Sequence, residues 1–129
     1  MNKILVEVSV GELLDKISII EIKKNRIKDS NKLKFINEEY EFLKNELEKN
    51  IKIDEKLAKF FTALKNVNSK LWLIEDEKRK CEKESDFGEN FIRLSRDVHF
   101  LNDTRAKIKL DINNHTGSKI KEIKEYTSY

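Results

Sequence analysis

The sequence predicts a mainly α protein, an antiparallel four-helix bundle with a small two-stranded sheet formed by its N- and C-terminal segments. Three observations lead there. The 129 residues include no proline and only three glycines, so long helices run uninterrupted and an all-β fold would lack its turn residues. Charged residues make up 40% of the chain and hydrophobic ones 38%, the balance of helices that each bury a narrow apolar stripe. Apolar residues also recur every three or four positions through four stretches, each bounded by Ser, Asp, Asn or Gly. The length suits a single domain, residues 1–129, with one core.

The elements follow in order. Residues 3–10, KILVEVSV, place Ile4, Val6, Val8 and Val10 on one face, the period of a strand. Ser9 and Glu12 have capping-box spacing, so a first helix is expected from about Gly11 to Lys28. Its stripe is Leu13, Ile17, Ile20, Lys24 and Ile27, while Ile19 and Ile22 lie opposite, beside Asp15 and Arg26. A helix apolar on two sides belongs at the centre. Asp29-Ser30-Asn31 recaps the chain for a second helix over 31–49, with Leu33, Ile36, Tyr40, Leu43 and Leu47 as its stripe. Asp54 caps a third over 55–84, with Leu57, Phe60, Phe61, Leu64, Val67, Leu71 and Ile74. Asp86 and Glu89 repeat the capping-box spacing before a fourth over 87–113, carrying Phe91, Leu94, Val98, Leu101, Ile108 and Ile112. The tail, KIKEIKEYTSY, reads as a short helix or a strand. The strand is expected, because a lone N-terminal strand would leave its backbone groups unpaired.

The stretch LWLIEDEKRKCE, residues 71–82, holds the only Trp and the only Cys. Laid out at 100° per residue, Glu75 and Glu82 fall within about 20° of Leu64. They continue the apolar face, as does Asn68. In the fourth helix Arg105 falls inside the stripe, between Leu101 and Ile108, with Asn102 and Lys109 on its edge. A short turn makes these helices antiparallel. Asn102 and Arg105 then reach the level of Asn68 and Trp72, and a Glu75–Arg105 contact needs some offset. Two readings stand. The charges are ion pairs that fix helix register, which contribute little net stability because desolvation offsets attraction. Alternatively they line a pocket for an anion, where the planar fork of Arg binds two oxygens at once.

Other patterns carry less. Glu38 and Glu41 have the spacing of paired acids in helical magnesium-dependent nucleotide hydrolases, but they face away from the stripe. His99 and Asp103 make a metal edge without further ligands, so no metal site is expected. His115 reads as turn chemistry, and Trp72 as packing, with a ligand stack as the alternative role. No nucleophile–base pair or phosphate-binding glycine loop is recognisable, so catalytic residues and cofactors stay unassigned. The net charge of +3 is interleaved along the chain, which argues against nucleic acid. No apolar run approaches the roughly 20 residues of a membrane span. The start lacks a signal-peptide cleavage pattern, and the single Cys81 fits a reducing cytoplasm.

Four segments together, VEVSVGELLDKISIIEIKKNRI, LWLIEDEKR, FIRLSRDVHFLNDTRAKIKLDIN and GSKIKEI, resemble a small bacterial family of unknown function often encountered among surface-polysaccharide and glycosyltransferase genes. The resemblance spans nearly the whole chain and is weakest around 31–65. Its polar signature matches here at Glu7, Glu12, Asp15, Lys16, Arg26, Glu75, Asp76, Arg79, Asn102, Asp103, Arg105 and Lys109. Ser95 and His99 stand where Ala and Tyr are expected, and the tail is less acidic. The resemblance implies a cytoplasmic accessory or binding protein of bacterial surface-glycan metabolism. The candidate ligand-binding residues are Asp15, Arg26, Glu75, Arg79, Asn102 and Arg105, holding a phosphorylated sugar, a nucleotide or a protein partner. Two alternatives are a small enzyme on a phosphorylated sugar or nucleotide, with Glu75 as general base, and a structural helical homodimer without a ligand site.

Overall fold

The computed structural model describes residues 3–120 and 122–129. Four helices account for most of them: α1 (Val10–Arg26), α2 (Ser30–Asn50), α3 (Glu55–Lys83) and α4 (Glu89–Thr116). None of these is long and apolar enough to cross a membrane. Three begin as their capping residues dictate. Ser9 Oγ accepts the Glu12 N–H at 3.0 Å, Asp29 accepts from Asn31 and Lys32, and Asp54 accepts from Leu57 at 2.7 Å. Each bond satisfies an N–H that the first turn leaves unpaired. The fourth start differs from expectation. Gly88 is the cap residue and contributes no side chain. Asp86 instead accepts the Gly88 N–H at 3.2 Å, closing a local turn of the kind Asp favours.

α3 and α4 form an antiparallel hairpin. Asn90 at the start of α4 reaches Cys81 near the end of α3, and His115 at the end of α4 reaches Asp54 at the start of α3. α1 runs against α4, with Gly11 at Asn113, Glu12 at Lys109 and Asp15 at Arg105. α1 also packs on α3 and on α2, so it alone touches every other helix. This is the central position that its two apolar sides predict. α2 has α1 as its only close helical neighbour, so the molecule is a three-helix core of α1, α3 and α4 with α2 laid along the outside of α1. Leu14 and Ile17 of α1 meet Leu47 of α2, Leu57 and Leu64 of α3, and Ile112 of α4 in one buried cluster. Phe60, Phe61, Leu43 and Ile108 close its edges.

The predicted two-stranded sheet does not form: among the described residues there is no strand. Residue 121, within the expected tail strand, lies outside those described. The two ends are close at one point, where the Val10 N–H donates to Ser118 Oγ at 3.3 Å. Beyond it the tail is drawn to α4. Glu122 pairs with Lys109 at 3.0 Å, and the Tyr129 hydroxyl donates to Asp103 while its ring packs on His99 and Phe100. Ser118 to Ile120 still line one groove with residues 3–8, but the charge and ring contacts of the tail beyond them are made with α4, and no ladder joins the two ends among the described residues.

Gly11 marks the tightest approach in the fold. A Cβ there would stand 2.6 Å from the backbone oxygen of Lys109 and 3.0 Å from Asn113 Oδ1. Replacing helical Gly by Ala ordinarily stabilises by about 0.5–1 kcal/mol. At this position the sign is expected to reverse, because the obstacle is α4 backbone that cannot rotate away. A lower urea midpoint for Gly11→Ala than for the natural chain checks this.

Candidate functional site

The site grows from one buried acid. Asp15 sits one turn into α1, on the side that faces α3 and α4, and is 1% exposed. Its carboxylate takes both forks of Arg105, Nε to Oδ1 at 2.9 Å and Nη2 to Oδ2 at 2.5 Å. Asn68 of α3 donates Nδ2 to Asp15 Oδ1 at 2.8 Å and to Ser18 Oγ at 2.8 Å. Ser18 in turn donates to the Asp15 carbonyl at 2.8 Å. One carboxylate therefore ties three helices together, and bidentate geometry sets their register. Lys109, one turn after Arg105, lies 3.8 Å from Asp15 and bonds Glu12 at 2.6 Å and Glu122 at 3.0 Å. The buried ammonium is thereby surrounded by three acids.

The electrostatics agree with the geometry. Burial pushes the Asp15 carboxyl up, yet the hydrogen bonds from Arg105 and Asn68 and the charges of Arg105 and Lys109 outweigh it, leaving it below the usual carboxylate range. The Asp15 bond raises the Arg105 guanidinium further above its ordinary value against the opposing effect of burial. Burial works against the Lys109 charge, but Glu12, Glu122 and Asp15 reverse that and raise it. The Lys109 bond is the main reason that Glu122 is lowered.

Arg105 is also the link to the surface. Its side chain stays 29% exposed, and it lines a groove of 480 Å³ between α1, α3 and α4. Ile19, Ile22 and Leu71 give this groove an apolar lining, Trp72 contributes an indole, and Glu75, Asp76 and Arg79 contribute charges. Glu75 and Arg79 are exposed, and neither is bonded to another side chain among the described residues. Arg105 spends three of its N–H groups on Asp15 and, at 3.5 Å, on Asn102, which leaves donors uncommitted.

The six candidate residues thus divide. Asp15, Asn102 and Arg105 form one bonded group, with Glu75 and Arg79 across the groove from it. Arg26 is not with them. It is exposed in the last turn of α1, where a cation complements the helix dipole. The Glu75–Arg105 contact does not form either, because Asp15 already occupies both forks of the guanidinium. Glu82 is exposed, so the face that continues the α3 stripe leaves the core before that point. His99 stacks against Phe100 and Tyr129. No cluster among the described residues has the His, Cys, Asp or Glu content to hold a metal ion.

The sequence pattern places Asn68 on the continued apolar face of α3 and Lys109 on the edge of the α4 stripe, and it marks neither Ser18 nor Glu122. Lys109 had a usable signal, because it follows Arg105 by four residues and so shares its face. Ser18 had another, three residues after Asp15 on the same helix side. Glu122 had none, since the tail carries no periodicity to read.

The fold and site together define an all-helical protein whose core is pinned by a buried acid–base network that opens onto a charged groove. The chain belongs to the Family of unknown function (DUF6165), whose family model matches residues 4–129. No curated protein and no solved structure matches it.

Removing Arg105 would leave a buried carboxylate with only Asn68 and Lys109. Arg105→Ala is expected to cost roughly 3 kcal/mol in urea unfolding, the low end for stranding a buried charge. The pH dependence has a definite sign. Because the Asp15 pKa is lowered by folding, its contribution is full above the unfolded carboxylate value of about 4 and is lost as pH falls below it. The drop in stability from neutral to acid pH should therefore be smaller in Asp15→Asn than in the natural chain, by urea unfolding at each pH.

Proposed function

We propose that this chain is a binding protein whose groove between α1, α3 and α4 takes an anionic ligand carrying a ring, such as a phosphorylated sugar or a nucleotide. One observation carries the reading. Arg105 is locked in place by Asp15 while Arg79 and Glu75 stand unpaired beside Trp72 on the same groove. A fixed guanidinium loses little freedom on meeting a phosphate. An indole face offers stacking to a base or the apolar face of a sugar, and Glu75 can accept sugar hydroxyls. In this proposal the protein acts in the bacterial cytoplasm as an accessory of surface-glycan metabolism. Support for that setting is the resemblance of its four signature segments to a family found among glycan genes. The enzyme reading, with Glu75 as general base, has less behind it, because Glu75 stands in water rather than enclosed.

The test is a thermal-shift series with UDP-glucose, glucose 1-phosphate and inorganic phosphate. A ligand at a hundred times its dissociation constant adds about 2.7 kcal/mol of apparent stability. Among the described residues Arg79 bonds to no other side chain, so Arg79→Ala should fold with its stability within about 0.5 kcal/mol of the natural chain. The shift should disappear in that variant. In Trp72→Leu, UDP-glucose should lose more than inorganic phosphate does. No shift with any probe, or a shift that survives Arg79→Ala, overturns the reading.

A further inference from the structure

Residues 3–8 belong to no helix or strand, and their backbone groups make no hydrogen bond among the described residues. Their apolar side chains are not folded inward. Ile4 is 87% exposed, Leu5 81% and Val6 74%. A run of β-branched residues with unpaired N–H and C=O groups is a template for another strand. The apolar surface continues into a groove of 880 Å³ between this segment and α1 and α2, where Leu13, Phe42 and Leu43 contribute to the lining. Phe42 is itself partly exposed, and Lys3 rests over its ring at 5.3 Å.

The charges select the occupant. When two copies of KILVE pair antiparallel about Leu5, Ile4 faces Val6 and Lys3 faces Glu7, so both opposed charge pairs attract. Centring the pair on Val6 sets Lys3 against Ser9 and Glu7 against Leu5. A parallel pairing sets Lys3 beside Lys3. Only the Leu5-centred register matches both charges, and it has the self-complementarity that a twofold interface requires. A bare two-stranded ribbon is marginal in water, and packing on helices is what stabilises one. The groove beside α1 and α2 supplies that apolar bed.

We propose that the chain forms a homodimer through residues 3–7, joined as an antiparallel two-stranded ribbon with Leu5 on the twofold axis.

The experiment is sedimentation velocity of the full chain over a concentration series at low salt. Lys3→Glu and Glu7→Lys each place like charges opposite one another, and each should raise the dimer dissociation constant by roughly tenfold. Mixing the two variants restores attraction at both positions and should recover a heterodimer. Neither position lies in the core, so both variants keep their helical circular dichroism. A register test accompanies it. Directly opposed Cα atoms in an antiparallel pair lie about 4.5–5.5 Å apart, within the span of a disulfide. Leu5→Cys should therefore cross-link to its twin under mild oxidation, and Val8→Cys should not. A chain that stays monomeric overturns the proposal and leaves the segment as a docking strand for a different protein. A dimer indifferent to both charge reversals overturns it as well, as does cross-linking through residue 8 in place of residue 5.

Discussion

The pairing of Asp15 with Arg105 is the constraint on which the arrangement of helices depends. A carboxylate on the buried side of α1 loses its water on folding, and that loss is tolerated only when fixed donors replace it. Two come from one guanidinium on α4 and one from an amide on α3. A bidentate bond has narrow geometry, so sliding α1 along α4 by even one residue would strand the charge. Apolar packing cannot discriminate in the same way, since Leu and Ile stripes tolerate small shifts. The close approach at Gly11 follows from this register. With Asp15 fixed at Arg105, the start of α1 is brought against Lys109 and Asn113, and only a residue without a side chain fits.

The periphery depends on the same network. Lys109 is taken out of water next to Asp15 and needs more than one acid to balance it. Glu12 supplies one from α1 and Glu122 another from the tail. The tail therefore acquires its path along α4 through a charge demand that originates in the core, and the Tyr129 contacts with Asp103 and His99 extend that path to its end. α2 has no part in this network. It is held by its apolar stripe on α1, with Leu47 reaching the common core.

Helix positions were legible because their signals are local. Ser9, Asp29 and Asp54 cap the helix starts that their spacing predicts, and stripes repeating every three or four residues mark the buried faces of all four helices. The central place of α1 was legible too, from Ile19 and Ile22 lying opposite its main stripe. Pairing was harder. Arg105 inside an apolar stripe announced a buried charge, but its partner lay ninety positions away on another helix. Periodicity specifies a face and not the neighbour across it, so the sequence suggests Glu75 for Arg105, and only the packed helices bring Asp15 to it instead. The sheet failed for a related reason. Alternation in residues 3–10 records a strand's preference, but the tail reads as a strand only as a partner for that segment, and its contacts with Lys109 and Asp103 follow no local pattern.

Fixing Arg105 from below has a consequence for the groove above it. An exposed arginine on a helix samples many rotamers, and ordering it costs a ligand free energy. Here that ordering is completed during folding, by Asp15 and Asn102, before any ligand arrives. The groove thus combines one immobile cation with two side chains, Glu75 and Arg79, that remain free to adapt. A purely structural ion pair has no need of that asymmetry, because its stabilising role ends at the pair itself. Nor does it need Trp72 along the same wall, half-buried where an indole can still offer a face. In the proposed reading, the structural and ligand-binding roles of the charged stripe fall on different residues. Asp15 and Lys109 join α1 to α4, Glu75 and Arg79 bond to no side chain among the described residues, and Arg105 both pairs with Asp15 and lines the groove that Glu75 and Arg79 share.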